Sequence, residues 1–105
     1  MRIIAGKHKG RRIELGKEAS QVVRPTSDFA RQAIFNILTH GAHGLNGHTF
    51  IDKNVLDVFC GSGAFGLEAL SRGAASVTFI DQAREALSTA HANAETIREL
   101  ESAEF

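Results

Sequence analysis

Three glycines and two aspartates carry the chemistry that can be read from this chain. Gly61-x-Gly63-x-x-Gly66 follows the apolar run Val55-Leu56-Asp57-Val58-Phe59, and Asp81 stands 20 residues after Gly61. Glycines at a strand end let a ligand approach the backbone, because no Cβ blocks it. The helix that follows offers its free N–H groups to that ligand. An acid at the end of the next strand can accept hydrogen bonds from ribose hydroxyls. This spacing fits a nicotinamide or flavin dinucleotide as well as an adenosyl cofactor. Asp57 separates them, because a carboxylate inside an apolar strand needs a partner. A pyrophosphate would be repelled there. A ligand with an ammonium and a sulfonium would be attracted, which points to S-adenosylmethionine, with Asp57 near its methionyl end and Asp81 on its ribose. The competing role for Asp57 is to cap the glycine loop by bonding its N–H groups, and the two roles are compatible.

The elements that must position these residues follow from local pattern. Val55 to Phe59 is rich in branched and aromatic residues and reads as a buried strand. Leu67 to Arg72 continues from the glycine loop as a helix that Gly73 ends. Ala75 to Ile80 is a second strand, and from Ala83 onward Leu87, Ala90, Ala94 and Ile97 recur at helical spacing. Strand, loop, helix, strand, helix is a βαβ unit, so a parallel sheet is expected. Upstream, residues 2–5 and 11–15 are short β-prone runs around a glycine-bounded turn, a hairpin with a basic tip. Arg24-Pro25-Thr26-Ser27 marks a helix start. Ala30, Ala33, Ile34, Ile37 and Leu38, with Phe29 on the same side, form the expected apolar stripe of that helix. Residues 41–49 hold three glycines and read as a loop. The expected organisation is an extension over 1–48 and the front half of a cofactor-binding domain over 49–105.

Equal numbers of basic and acidic residues, 12 each, hide an asymmetry. Residues 1–54 carry nine Lys or Arg against four acids, whereas residues 55–105 carry three Arg against eight acids. Such a split suggests a basic surface for a polyanion joined to a different function, or a solvated basic hairpin at one end. The composition, 43% hydrophobic and 23% charged in 105 residues, is that of one globular domain and excludes a disordered or fibrous chain. No apolar run is long enough for a membrane span, and the N-terminus lacks a signal-peptide core, so a cytoplasmic protein is expected. A single cysteine, Cys60, excludes an internal disulfide and a multi-cysteine zinc site.

Residues 55–74 (Val-Leu-Asp-Val-Phe-Cys-Gly-Ser-Gly-Ala-Phe-Gly-Leu-Glu-Ala-Leu-Ser-Arg-Gly-Ala) resemble the first motif of class I S-adenosylmethionine-dependent methyltransferases. More narrowly, the chain resembles the bacterial guanine-N2 methyltransferases of 16S, small-subunit, ribosomal RNA. The hairpin sequence 1–13, Arg-Pro-Thr-Ser-Asp at 24–28, Phe-Asn-Ile-Leu at 35–38 and Val-Thr-Phe-Ile-Asp at 77–81 match the same family in order. The resemblance implies a Rossmann-like α/β fold preceded by a basic hairpin and helix. It implies cofactor contacts from Asp57, Phe59, Gly61, Gly63, Asp81 and Gln82. It implies RNA contacts from Arg2, Lys7, Lys9, Arg11, Arg12, Arg24 and Arg31, with Arg24 and Thr26 at a helix start facing the active site. The reaction would methylate the exocyclic amine of a guanine taken out of its stack.

Two departures stand out. Phe29 and Gln32 replace an Arg and a Glu usual in the family. The family's catalytic motif, Asn or Asp followed by Pro-Pro and an aromatic, has no counterpart, since Pro25 is the one proline. The expectation is therefore a front half that stops during or just after the second sheet helix, with little or no methyl transfer of its own. A two-stranded sheet with an open edge would be prone to self-association.

The remaining signals have simpler readings. Cys60 is expected to pack rather than react. The five histidines show no metal-ligand spacing. Phe29, Phe35, Phe59, Phe65 and Phe79 sit in apolar patterns and are expected in the core, with Phe65 also able to face the cofactor. Two other functions compete with the methyltransferase: a non-catalytic RNA-binding module using the hairpin, and a nicotinamide-dependent oxidoreductase fragment.

Overall fold

The computed structural model describes residues 1–16, 28–40 and 50–105. Strand β1 (Asn54–Val58) runs into a glycine loop and helix α2 (Ala64–Ser71), and strand β2 (Ser76–Ile80) into helix α3 (Arg84–Thr96). Helix α1 (Asp28–His40) precedes them. A 3-10 turn (Leu100–Ser102) leads into a short strand β3 (Ala103–Glu104). The sheet order is β1-β2-β3, parallel throughout, with Asp57 opposite Phe79 and Val77 opposite Ala103. The expected βαβ unit is present. The chain does not stop at the second sheet helix, however, but adds a third strand. Ala103 and Glu104 extend beside β2 because the 3-10 turn reverses the backbone after α3.

Period-two alternation decides which strand residues are buried. Val77 and Phe79 point under α2 and α3 and are 0% and 1% exposed. Leu56, Val58 and Ile80 lie on the opposite face and are largely exposed. Among the described residues, the sheet is thus covered on one face. One core contains Ile3 and Ile13 of the hairpin, Phe35 of α1, Leu67 and Leu70 of α2, and Ala90 and Ala94 of α3. Phe35 packs between Phe50 and Phe65, with centroids 5.0 and 5.9 Å away, and the Arg72 guanidinium lies 4.6 Å over its ring.

The N-terminal hairpin forms, but as a single bridge between Arg2 and Arg12 rather than two full strands. Its backbone bonds are Ile3 N–H to the Arg11 carbonyl, Gly10 N–H to Ile3 and Ile13 N–H to Met1. Beyond that bridge the strand-side N–H groups of Ile4 and Ala5 go to Glu68, and the turn is held by Lys7 N–H to the Ser71 carbonyl at 2.9 Å and His8 N–H to the Ser71 hydroxyl at 2.9 Å.

Helix α1 differs from its expected facing. Ala33, Ile34, Ile37 and Leu38 are exposed, and the buried residues are Arg31 and Phe35. An ion pair to buried Glu68 and the aromatic stack draw the 31/35 side inward. Phe29 and Phe59, expected in the core, are each 82% exposed. Phe59 follows β1 with a left-handed φ of 62°, which turns its ring away from the sheet. The helix start expected at Arg24 to Ser27, the expected loop at 41–49 and the expected 48/49 boundary lie outside the described residues. Among the described residues, no helix is long and apolar enough to cross a membrane.

Candidate cofactor site and basic hairpin

The glycine loop is built by two carboxylates from adjacent strands. Helix α2 has Gly63 at its N-cap, which offers no side chain to its first N–H groups. Asp57 supplies one instead: its Oδ2 accepts Gly66 N–H at 2.9 Å. Asp81 closes the other side, accepting Gly61 N–H on Oδ2 at 3.0 Å and Ala83 N–H on Oδ1 at 2.9 Å. Gly61 and Gly63 adopt φ of 55° and 90°, backbone that glycine takes without a Cβ penalty. Gly66 is required for a different reason: a Cβ there would meet Phe79 Cε1 at 2.3 Å. The third glycine of the motif therefore seats α2 against β2.

Of the expected cofactor residues, Asp57, Gly61, Gly63 and Asp81 are brought together in this one loop. Phe59 adjoins it, exposed, and Gln82 follows Asp81 on the surface. Burial pushes the Asp57 carboxyl above its ordinary range. The Gly66 N–H pulls it back, and the neighbouring Asp81 charge adds to the rise. Burial, with the charges of Asp57 and Asp81, pushes the Cys60 thiol up to about 12. Cys60 is buried, and a raised thiol pKa is the environment of a packing cysteine.

These residues fit an adenosyl cofactor. A Cβ placed on Gly61 would meet nothing within 4 Å, so space is open above the loop. A carboxylate has about four acceptor positions, and Asp81 uses two on backbone N–H groups. The two acids side by side make the loop mouth favourable to a cation and unfavourable to a pyrophosphate. Among the described residues, no cluster of His, Cys, Asp and Glu could hold a metal ion.

The basic hairpin docks at the other end of α2. Glu68, fully buried, accepts Ile4 N–H at 2.9 Å and Ala5 N–H at 3.0 Å, and Arg72 Nε at 2.9 Å. Ser71 donates its hydroxyl to the Ala5 carbonyl at 2.6 Å. Gly6 is obligatory, since a Cβ would lie 1.9 Å from the Ser71 carbonyl oxygen. Arg2, Lys9 and Arg12 are exposed on this hairpin. Lys7 pairs with Glu99 at 2.9 Å, and Arg11 donates to the Thr96 carbonyl at 2.8 Å. Burial pushes the Glu99 carboxyl up, but hydrogen bonds from His8 and Lys7 outweigh it and hold the group below its ordinary range. Arg31 is a correction to the expected RNA surface: it is 0% exposed, and its guanidinium bonds the Arg2 carbonyl and Asp28 and faces Glu68.

Glu68, Ser71, Asn93 and Glu99 bond the hairpin or the glycine loop and are not picked out from sequence. Glu68 and Asn93 carried a signal, each being a polar residue on an otherwise apolar helical face.

A parallel sheet with the cofactor loop after β1 and an acid after β2 defines a Rossmann-like methyltransferase fold. The yhhF protein of Escherichia coli, proposed in its description to be a methyltransferase, superposes with a TM-score of 0.78 at 36% identity, covering 99% of this chain and 50% of that one. The chain belongs to the family described as conserved hypothetical protein 95, whose profile matches residues 1–105. It is 42% identical over 84 residues to the ribosomal RNA small subunit methyltransferase D of Escherichia coli (strain K12), covering 80% of this chain and 37% of that protein. It is 37% identical over 97 residues to YlbH of Bacillus subtilis (strain 168), whose name proposes an rRNA methyltransferase, covering 92% of this chain and 47% of that one. The chain therefore spans less than half the length of these two relatives.

Proposed function

We propose that this chain is the cofactor-binding part of an S-adenosylmethionine-dependent methyltransferase acting on guanine N2 of small-subunit ribosomal RNA. The observation that carries the reading is the convergence of two acids, Asp57 and Asp81, on one glycine loop. When bound, the cofactor would supply an electrophilic methyl group on a sulfonium. Asp57 would attract its cationic methionyl end, Asp81 would orient the ribose, and Gly61 would let it approach the backbone. Phe59 and Gln82 would border the same space. The names of the relatives support ribosomal RNA as the substrate class.

The hairpin would hold the RNA. Arg2, Lys9 and Arg12 present exposed charge to a polyanion, and Lys7 and Arg11 lie beside them. Arg24 belongs to the same proposal. Methyl transfer by the 105-residue chain itself is expected to be absent, because the Pro-Pro motif that the family uses is not in its sequence.

Calorimetric titration with S-adenosylhomocysteine, with NAD as control, tests the cofactor reading. Binding of the first and not the second is expected. NAD binding without adenosylhomocysteine binding would replace the methyltransferase with an oxidoreductase fragment. RNA affinity that falls steeply with salt, in a chain that binds neither ligand, would favour a non-catalytic RNA-binding module.

A further inference from the structure

Asn93 sits on the buried face of α3, 4% exposed, among Ala90, Ala94 and Ile97. Its carboxamide is fully used. Oδ1 accepts Glu14 N–H at 3.0 Å, and Nδ2 donates to the Glu14 carbonyl at 3.0 Å and to the Ser62 carbonyl at 2.9 Å. An amide nitrogen has two donors and both point at carbonyls, so the contacts admit one orientation of the side chain.

The Ser62–Gly63 peptide is the centre of the glycine loop. Its N–H donates to the Cys60 carbonyl at 2.9 Å, and its carbonyl accepts from Asn93. Rotating this plane changes ψ of Ser62 and φ of Gly63, and Gly63, at a φ of 90°, has no Cβ to resist it. Rotation would break both bonds and change the backbone groups that the loop presents at its surface. The other grip of Asn93, on both backbone groups of Glu14, is that of a strand partner. Glu14 directly follows Ile13, whose N–H closes the hairpin.

We infer that Asn93 is a positioning residue that locks the central peptide of the cofactor loop and ties it to the hairpin segment at Glu14. Its importance for binding rests on the cofactor reading proposed above; the mechanical link does not. The lock would make the loop responsive to whatever the hairpin holds, because one side chain bonds both.

The test uses the 105-residue chain, with Asn93→Ala, Asn93→Asp and, as a packing control, Ile97→Val. Amide exchange at Gly63 is the informative readout, because its own N–H bonds Cys60 and not Asn93. Exchange at Gly63 and Glu14 is expected to rise together at least tenfold in both Asn93 variants, with Val77 unchanged. S-adenosylhomocysteine affinity is expected to fall about tenfold in those variants and to stay within twofold in Ile97→Val. Asn93→Asp should act more strongly, since a carboxylate would face two carbonyls. Where Asp at this position unfolds the chain, Asn93→Ser carries the same readout. Unchanged Gly63 exchange in the folded variants, or equal acceleration by Ile97→Val, overturns the inference. A wild-type chain that binds no adenosylhomocysteine defeats the cofactor reading, while Gly63 exchange still decides the link.

Discussion

The two ends of α2 treat charge in opposite ways. At its C-terminal end Glu68 is wholly buried, yet it receives two backbone N–H groups and Arg72, with Arg31 Nε 3.5 Å away. At its N-terminal end Asp57 holds one backbone N–H, is half-buried, and has its carboxyl pushed upward by burial and by Asp81. The closed end has its acid fully partnered and serves to hold the hairpin. The open end leaves its acids under-partnered beside exposed space, which is the condition for binding a cation. One eight-residue helix thus carries a structural carboxylate, Glu68, on the side of the hairpin and meets a receptive one, Asp57 of β1, at its N-terminal end.

Breaking the closed end should have the largest effect. Glu68→Ala leaves buried Arg31 with the half-exposed Asp28 as its acid and removes the acceptor for Ile4 and Ala5, so urea unfolding should show a loss of about 3–5 kcal/mol. Gly6→Ala forces a Cβ against Ser71 from a φ of 89°. It should cost about 2–4 kcal/mol by the same measurement, combining left-handed strain with overpacking. Both changes should release the hairpin while the βαβ unit persists, visible as selective loss of amide protection at residues 3–13.

The open end should respond in ligand binding rather than stability. The folded-state pKa of Asp57 is raised above 3.8, so its ionised form disfavours the fold. That relative stabilisation is complete below the unfolded pKa and is lost as pH rises through the folded pKa. Asp57→Asn should therefore leave neutral-pH stability unchanged or higher, while weakening S-adenosylhomocysteine binding by about 1.5–3 kcal/mol in calorimetry. A variant that both unfolds and loses binding would mean that Asp57 is structural like Glu68, and the contrast between the ends would collapse.

The smallest effect concerns Glu99. Its folded pKa is lowered, so its contribution is present above about pH 4.5 and is lost as pH falls through the folded value. Glu99→Gln should flatten the acid limb of the stability profile and cost roughly 0.5–1 kcal/mol at neutral pH.

The βαβ core and its loop were legible because their signals are local: alternation in β1 and β2, and glycines at fixed offsets. The role of Asp57 was legible as a pair of compatible options, and the Gly66 contact realises the capping one. Helix α1 was misread because its periodicity counted Ile34, Ile37 and Leu38 as inward, whereas its seat is set by Arg31 meeting Glu68, 37 residues away in sequence. Arg31 looked like a surface cation for the same reason. Phe59 looked like strand core because nothing local announces a left-handed φ in a phenylalanine. The third strand, two residues long, was too short for any pattern. Asn93 is not picked out from sequence, although a lone amide on the apolar stripe of Ala90, Ala94 and Ile97 is a signal that it needs partners.

The modest length of α2 has one more consequence. At 1.5 Å per residue its eight residues span about 12 Å, with Gly66 bonded to Asp57 near one end and Ser71 bonded to the hairpin at the other. The helix acts as a fixed ruler between the two. Adding a single residue would lengthen it little but would rotate one end by about 100° against the other, so the spacing between tip and loop is set in helical turns and admits no gradual adjustment.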